Sequence, residues 1–357
     1  MSERLEYQQI ESMTWQNGHN DELSSLLQNR ASPFVIKGLV ANWPLVQKAN
    51  IDTSASSLID ELTKSASSAL IFKSEAPANS MGRFFYNDDF SDLNFSQSPQ
   101  ALPDFLDGLK MRLKRSEDQR SFQYMASTSL SYCFPDIAKS HILPFKLPFE
   151  IDDTLGNAAS TPLISAWLGS QSVAATHFDV PDNLACNVIG QRTFTLFPPE
   201  QISNLYIGPM HLTPAGQQVS LVDLSQPNFA QFPKFSEAIK HGFQVKLAPG
   251  DALFIPSMWW HNVEAHDDIN LLINYWWSSH AAFAGAPMDA LKHAILSLSS
   301  LPEQQKKHWH TIFEHYVFSN DSNNVAHIPE QARSYVGSLD EYSARTLRAE
   351  LIKNLNK

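Results

Sequence analysis

Cys186-Asn187-Val188-Ile189-Gly190-Gln191-Arg192-Thr193-Phe194-Thr195-Leu196-Phe197 reads as two short strands joined by a tight turn. Cys186–Ile189 and Thr193–Phe197 are apolar, β-branched and aromatic, and Gly190-Gln191 is the turn signal between them. The same grammar repeats on both sides. Trp167–Gly169, Gln244–Leu247, Ala252–Ile255 and Ile269–Trp277 have strand composition, and Pro249-Gly250-Asp251 marks another turn. Many short strands at close spacing imply a sandwich or barrel, so an all-β core is expected between residues 166 and 277.

The flanks differ. Pro33 to Val40, followed by Trp43-Pro44, reads as a buried strand and a turn. Residues 50–64 have a helical stripe (Leu58, Ile59, Leu62) with Thr53 or Ser54 as cap, and Leu102 to Arg115 has Pro103 at its start and Phe105, Leu106, Leu109 and Leu113 on one face. Asn79 to Ser98 is loop-like. After Pro287 helical spacing returns, in stripes headed by Met288, Trp309 and Leu347.

Composition removes several classes. The chain has 357 residues, enough for a large core, and 43% are hydrophobic. With 26 Lys+Arg against 37 Asp+Glu, the net charge of −11 argues against binding a phosphate backbone. Two cysteines are too few for a disulfide framework and fit a reducing compartment. The first ten residues show no apolar leader, and no stretch approaches the ~18 consecutive apolar residues of a membrane span. A cytoplasmic protein is therefore expected. Glycines spaced as G-x-G, a phosphate-binding P-loop, a G-x-S-x-G elbow and a C-x-x-C pair are all absent.

The sharpest chemical signal is Thr176-His177-Phe178-Asp179. In a strand, positions i and i+2 share a face, so His177 and Asp179 can converge on one ion. His261, after Pro256-Ser257-Met258-Trp259-Trp260, is the candidate third ligand. Two histidines and a carboxylate on one face of an octahedron form the facial triad of non-haem Fe(II) oxygenases, which leaves open positions for a keto acid and O2.

Several of these motifs together resemble a known family. Thr176 to Asp179, Asn183, Gly190-Gln191-Arg192-Thr193-Phe194 through Pro198-Pro199, Pro249-Gly250-Asp251 through Ile255-Pro256, Trp259-Trp260-His261 and Asn274-Tyr275-Trp276 are similar to the JmjC-type cupin-like oxygenases. They look like the branch that includes the asparaginyl hydroxylase called factor inhibiting hypoxia-inducible factor. The resemblance runs from about residue 30 to 280. It implies a mainly β fold with flanking helices: a double-stranded β-helix (jelly roll) with an α-helical C-terminal tail. It also implies dependence on Fe(II) and 2-oxoglutarate, with His177, Asp179 and His261 as iron ligands. Arg192 falls where the family usually has a Lys for the distal carboxylate of 2-oxoglutarate, and a guanidinium suits that task. Tyr124 falls at a tyrosine supporting the same carboxylate, and Asn183 and Asn274 at polar pocket positions. Asn187 shares their parity. Ala174 departs from the Thr that close relatives carry, removing one hydrogen bond worth about 0.5–1.5 kcal/mol.

The expected organisation is an α/β region over 1–120, a jelly-roll catalytic core over 121–286 and a helical region over 287–357 that forms a homodimer, as such tails do in the family. The expected activity is hydroxylation of a C–H bond in a protein side chain or small molecule, releasing succinate and CO2. Neither nucleic acid nor membrane is an expected partner. A non-catalytic metal-binding sensor or interaction protein is the alternative that Ala174 keeps open. A third possibility, another cupin enzyme, is disfavoured because such enzymes usually show His-x-His. Residues 79–98 and 206–231 are the expected lids.

Overall fold

The computed structural model describes residues 5–16, 20–148, 162–278, 282–319, 322–336 and 339–356. Residues 1–4, part of the stretch read above for a leader, lie outside these. The described residues fall into two compact units, one running from residue 5 to 278 and one from 282 to 356. Among them no helix is long and apolar enough to cross a membrane.

Eight strands form the centre of the first unit: β1 (Leu163–Gly169), β2 (Ser172–His177), β3 (Asp182–Ile189), β4 (Arg192–Phe197), β5 (Phe243–Leu247), β6 (Ala252–Ile255), β7 (Trp260–Ala265) and β8 (Asn270–Trp277). They pair in two antiparallel sets, β6-β3-β8-β1 and β5-β4-β7-β2. This alternation between two sheets is the jelly roll, the expected fold. Strands from the first 130 residues extend both sheets. Phe34–Lys37 pairs with β6, Phe122–Ser129 pairs with β1, and the two-residue strand Arg83–Phe84 runs parallel to β2.

Side-chain parity divides the core in two. In β3, Leu184, Cys186 and Val188 point outward into a cluster that includes Leu58, Ile59 and Leu62 of the helix Ala55–Ser65 and Phe105, Leu106 and Leu109 of the helix Leu102–Arg112. Ala185 points inward with Leu253, Ile255 and Leu272 from the same sheet, against Phe194, Leu196 and Leu247 from the other. The inner cluster fills one part of the barrel, and the polar inward residues Asn183, Asn187 and Asn274 are buried on the same parity.

Local chemistry explains one difference from expectation. The stretch 50–64 is split, with one helix ending at Ile51 and the next starting at Ala55, because the Asp52 carboxylate accepts the Ser54 N–H and turns the chain between them. Ser54 keeps the cap position but makes no side-chain cap bond. His141 is buried. Its ring lies 5.2 Å from Trp43, and its Nε2 accepts the N–H of Leu45 in the first turn of the helix Pro44–Ile51.

The second unit holds helices Pro287–Leu298, Glu303–Phe313 and Glu341–Leu355. Asp340 caps the last through the Ser343 N–H. The first two contain no buried residue, and Leu291, Ile295, Trp309 and Ile312 are exposed.

Candidate metal centre and its pocket

His177 and His261 face each other directly across the β2–β7 pair, and their ring centroids are 4.4 Å apart. Asp179 completes the cluster: its Oδ2 lies 3.5 Å from His261 Nε2, and ligand atoms of all three lie within 4.8 Å of one another. It does not arrive by strand alternation, because β2 ends at His177. The segment after the strand carries it inward, and the loop before β7 holds that segment. The Met258 N–H donates to the Asp179 carbonyl at 2.9 Å, the Ser257 N–H to Asp182 Oδ1 at 2.9 Å, and the Ser257 hydroxyl to the Val180 carbonyl. Met258 has φ +67°, a left-handed conformation that costs a non-glycine residue roughly 1–2 kcal/mol. That strain sits where the two ligand-bearing segments are tied together.

Both imidazoles are prepared as ligands. His177 Nδ1 bonds the Ala175 carbonyl at 2.8 Å, and His261 Nδ1 bonds the Trp259 carbonyl at 2.9 Å. A carbonyl accepts only, so each Nδ1 carries the proton and each Nε2 keeps its lone pair for a metal. Burial, then the neighbouring His261, pushes the His177 pKa down to about 4, so this imidazole is neutral at pH 7. Burial alone would raise the Asp179 pKa. The polar contacts of His261, followed by those of His177, outweigh it and hold the carboxyl below its usual range in the metal-free site. Two imidazoles, each with its Nδ1 proton held by a carbonyl, and a carboxylate are a donor set suited to a divalent transition metal.

Deeper in the same barrel lies a buried charge. Arg192, at the start of β4, is only 2% exposed. Its Nη2 reaches the Trp167 carbonyl on the opposite sheet at 3.4 Å, and its Nε has no hydrogen-bond partner among the described residues. Burial lowers its pKa to about 10, so it remains cationic at pH 7. A buried cation without a carboxylate partner is unfavourable by several kcal/mol, and an anion in the pocket removes that penalty. Asn183 Oδ1 and Trp276 Nε1, on directly opposed residues of β3 and β8, are also buried without partners. Orphaned donors at Arg192 and Trp276 and an orphaned amide oxygen at Asn183 leave polar capacity inside the barrel for a ligand to satisfy.

Each pocket residue read from the sequence has a definite place. Tyr124, on the strand Phe122–Ser129, lies near enough to Arg192 and Asp179 for both charges to act on its hydroxyl, whose pKa burial raises. Gly169, its partner across the pair, leaves room for it. A Cβ there would stand 2.4 Å from the Gln123 carbonyl oxygen and 3.0 Å from Tyr124 Cα. Gly169→Ala should therefore destabilise the protein by roughly 1–3 kcal/mol through overpacking, read as a lower urea midpoint. Asn274 is buried and accepts the Trp167 indole N–H at 2.9 Å. Asn187 faces inward too, but its amide donates to the carbonyls of Gly190 and Leu247 and so braces the β3–β4 turn. Ala174, opposite Val263, presents a methyl group, and its carbonyl accepts from Asn262.

The two expected lid segments meet. The Tyr86 hydroxyl donates to the Leu212 carbonyl at 2.9 Å, and Phe85 and Tyr86 pack with Ala175 of β2 and Val219. Trp167 joins the pocket without being expected there from the sequence. Its parity with Gly169 and its position opposite Leu272, two residues before Asn274, were the available signals.

The chain matches the cupin-like domain over residues 20–283, which includes all eight jelly-roll strands and the three clustered ligands. It is 25% identical to JmjC domain-containing protein D of Dictyostelium discoideum, over 66% of this chain and 49% of that protein. Lysine-specific demethylase 8 of Xenopus tropicalis is 23% identical over 69% of this chain and 48% of its own length. tRNA wybutosine-synthesizing protein 5 of Homo sapiens is 27% identical over 41% and 46% respectively. The chain thus spans about half the length of these relatives. A match over most of the chain, on a jelly roll that gathers the triad at one end of its barrel, places the protein in the JmjC-type cupin-like family.

Proposed function

We propose that the protein is an Fe(II)- and 2-oxoglutarate-dependent oxygenase that hydroxylates a C–H bond of a protein side chain or a small molecule. The observation that carries this reading is the shared barrel interior of the His177–Asp179–His261 cluster and the uncompensated Arg192 cation. Fe(II) held by the three side chains would supply O2 activation, coupled to conversion of 2-oxoglutarate to succinate and CO2. The protein's own part is binding and orientation. Arg192 and the Tyr124 hydroxyl suit the distal carboxylate, Asn183 and Asn274 offer amides beside it, and the apolar inner cluster keeps bulk water out.

The names of the relatives cite lysine demethylation and tRNA modification, two different substrates, so neither transfers directly. The net charge of −11 favours a protein or small molecule over RNA. Two buried free thiols accord with the cytoplasm. The test is succinate formation by iron-loaded protein supplied with 2-oxoglutarate and candidate substrates. Metal binding without 2-oxoglutarate binding or turnover would favour the non-catalytic sensor instead.

A homodimer through residues 287–357 belongs to the same reading. A groove of about 750 Å³ between the first two helices of the second unit is lined by Leu291, Ile295, Leu298, Trp309, Phe313 and Val317, and a second copy of that surface is the proposed cover. Sedimentation should give a dimer for the full chain and a monomer after truncation before Pro287. A truncated protein that stays dimeric contradicts it.

A further inference from the structure

The geometry points to Trp167 as the positioning residue that makes the far wall of the pocket donor-only and so fits it to a carboxylate; this rests on the 2-oxoglutarate reading above. An indole N–H can only donate, so the Asn274 atom it meets at 2.9 Å must be Oδ1, whichever way that amide would otherwise turn. With its carbonyl oxygen engaged, Asn274 has its NH2 left to offer a ligand. The backbone carbonyl of the same tryptophan takes Arg192 Nη2 at 3.4 Å, across from the other sheet, and so fixes one arm of the guanidinium.

The ring completes the arrangement. It lies 6.2 Å from the Tyr124 ring and 5.7 Å from that of Trp276, the latter edge-on. One residue thus bonds Arg192 through its carbonyl and Asn274 through its N–H, and sets its ring beside that of Tyr124. The guanidinium and the amide NH2 present hydrogens, and the phenol can do so. An amide free to flip would lose that orientational freedom on presenting its NH2 to an incoming carboxylate, a cost the Trp167 bond meets in advance.

The test is calorimetric titration of full-length, Mn(II)-loaded protein with 2-oxoglutarate, for wild type, Trp167→Phe, Asn274→Ala and the double variant. Trp167→Phe keeps an aromatic ring and removes the N–H. It should weaken 2-oxoglutarate binding about tenfold, roughly one hydrogen bond's worth, with Mn(II) affinity within about twofold of wild type. The double variant should bind no more weakly than Asn274→Ala alone, since both changes break the same link. Unchanged affinity in Trp167→Phe overturns the assignment. So do losses that simply add in the double variant, or a parallel loss of Mn(II), which would mean a collapsed barrel. Wild-type protein that binds Mn(II) but no 2-oxoglutarate overturns the parent reading itself.

Discussion

Asp179→Ala should remove 2-oxoglutarate turnover while leaving the jelly roll folded. The carboxylate belongs to the ligand cluster itself, with Oδ2 at 3.5 Å from His261 Nε2. Changing a residue that merely supports a metal ligand typically costs about 10–100-fold in affinity or activity, so removing a ligand should cost more than about a hundredfold. The fold should survive because Asp179 lies after the end of β2 and takes no part in the strand ladder. Its main-chain carbonyl, which accepts from Met258, remains after the substitution. Succinate release and far-ultraviolet circular dichroism measured on the same sample separate the two outcomes. Full activity in the variant would remove Asp179 from the metal centre.

Arg192→Met should act in opposite directions on ligand binding and on stability. In ligand-free protein the guanidinium is buried with an orphaned Nε, and its Nη2 contact to the Trp167 carbonyl is long at 3.4 Å. An apolar side chain of similar reach removes that burial penalty, so the ligand-free variant should melt at or above the wild-type temperature. The same change deletes the cation that faces the anion. Charged hydrogen bonds contribute about 1.5–3 kcal/mol, so 2-oxoglutarate affinity should fall roughly 10- to 150-fold. Thermal melts and calorimetric titration check the two halves independently. A large loss of stability without ligand would mean that Arg192 is a structural strut rather than a clamp.

The sequence exposes much of this architecture because its turns carry side-chain chemistry. Gly190 adopts φ +76°, and any Cβ there would stand 2.3 Å from Asn270 Oδ1, so the glycine between two apolar runs reports a real constraint. His177 and His261 could be matched as ligands because each sits at a strand end next to recognisable neighbours. Other parts leave little local trace. Val173-Ala174-Ala175-Thr176 has weak strand composition, and β2 is defined by its pairing with β7 and with Arg83–Phe84, far apart in sequence. The left-handed backbone of Met258 gives no signal, because methionine is not a residue that favours it. Asp179 was read as a strand neighbour of His177, whereas a loop-to-loop hydrogen bond across 79 residues brings it inward. Trp167 gives only a strand signal, since its role depends on which face of β1 it shares with the pocket.

The most direct test of the central claim is titration of 2-oxoglutarate into full-length protein, once stripped of metal and once loaded with Mn(II). Saturable one-to-one binding to the loaded protein is expected, with much weaker binding to the stripped protein and loss of the metal-dependent part in His177→Ala. Absence of binding to the loaded protein, or equal binding with and without metal, would contradict a pocket built jointly from the triad and Arg192.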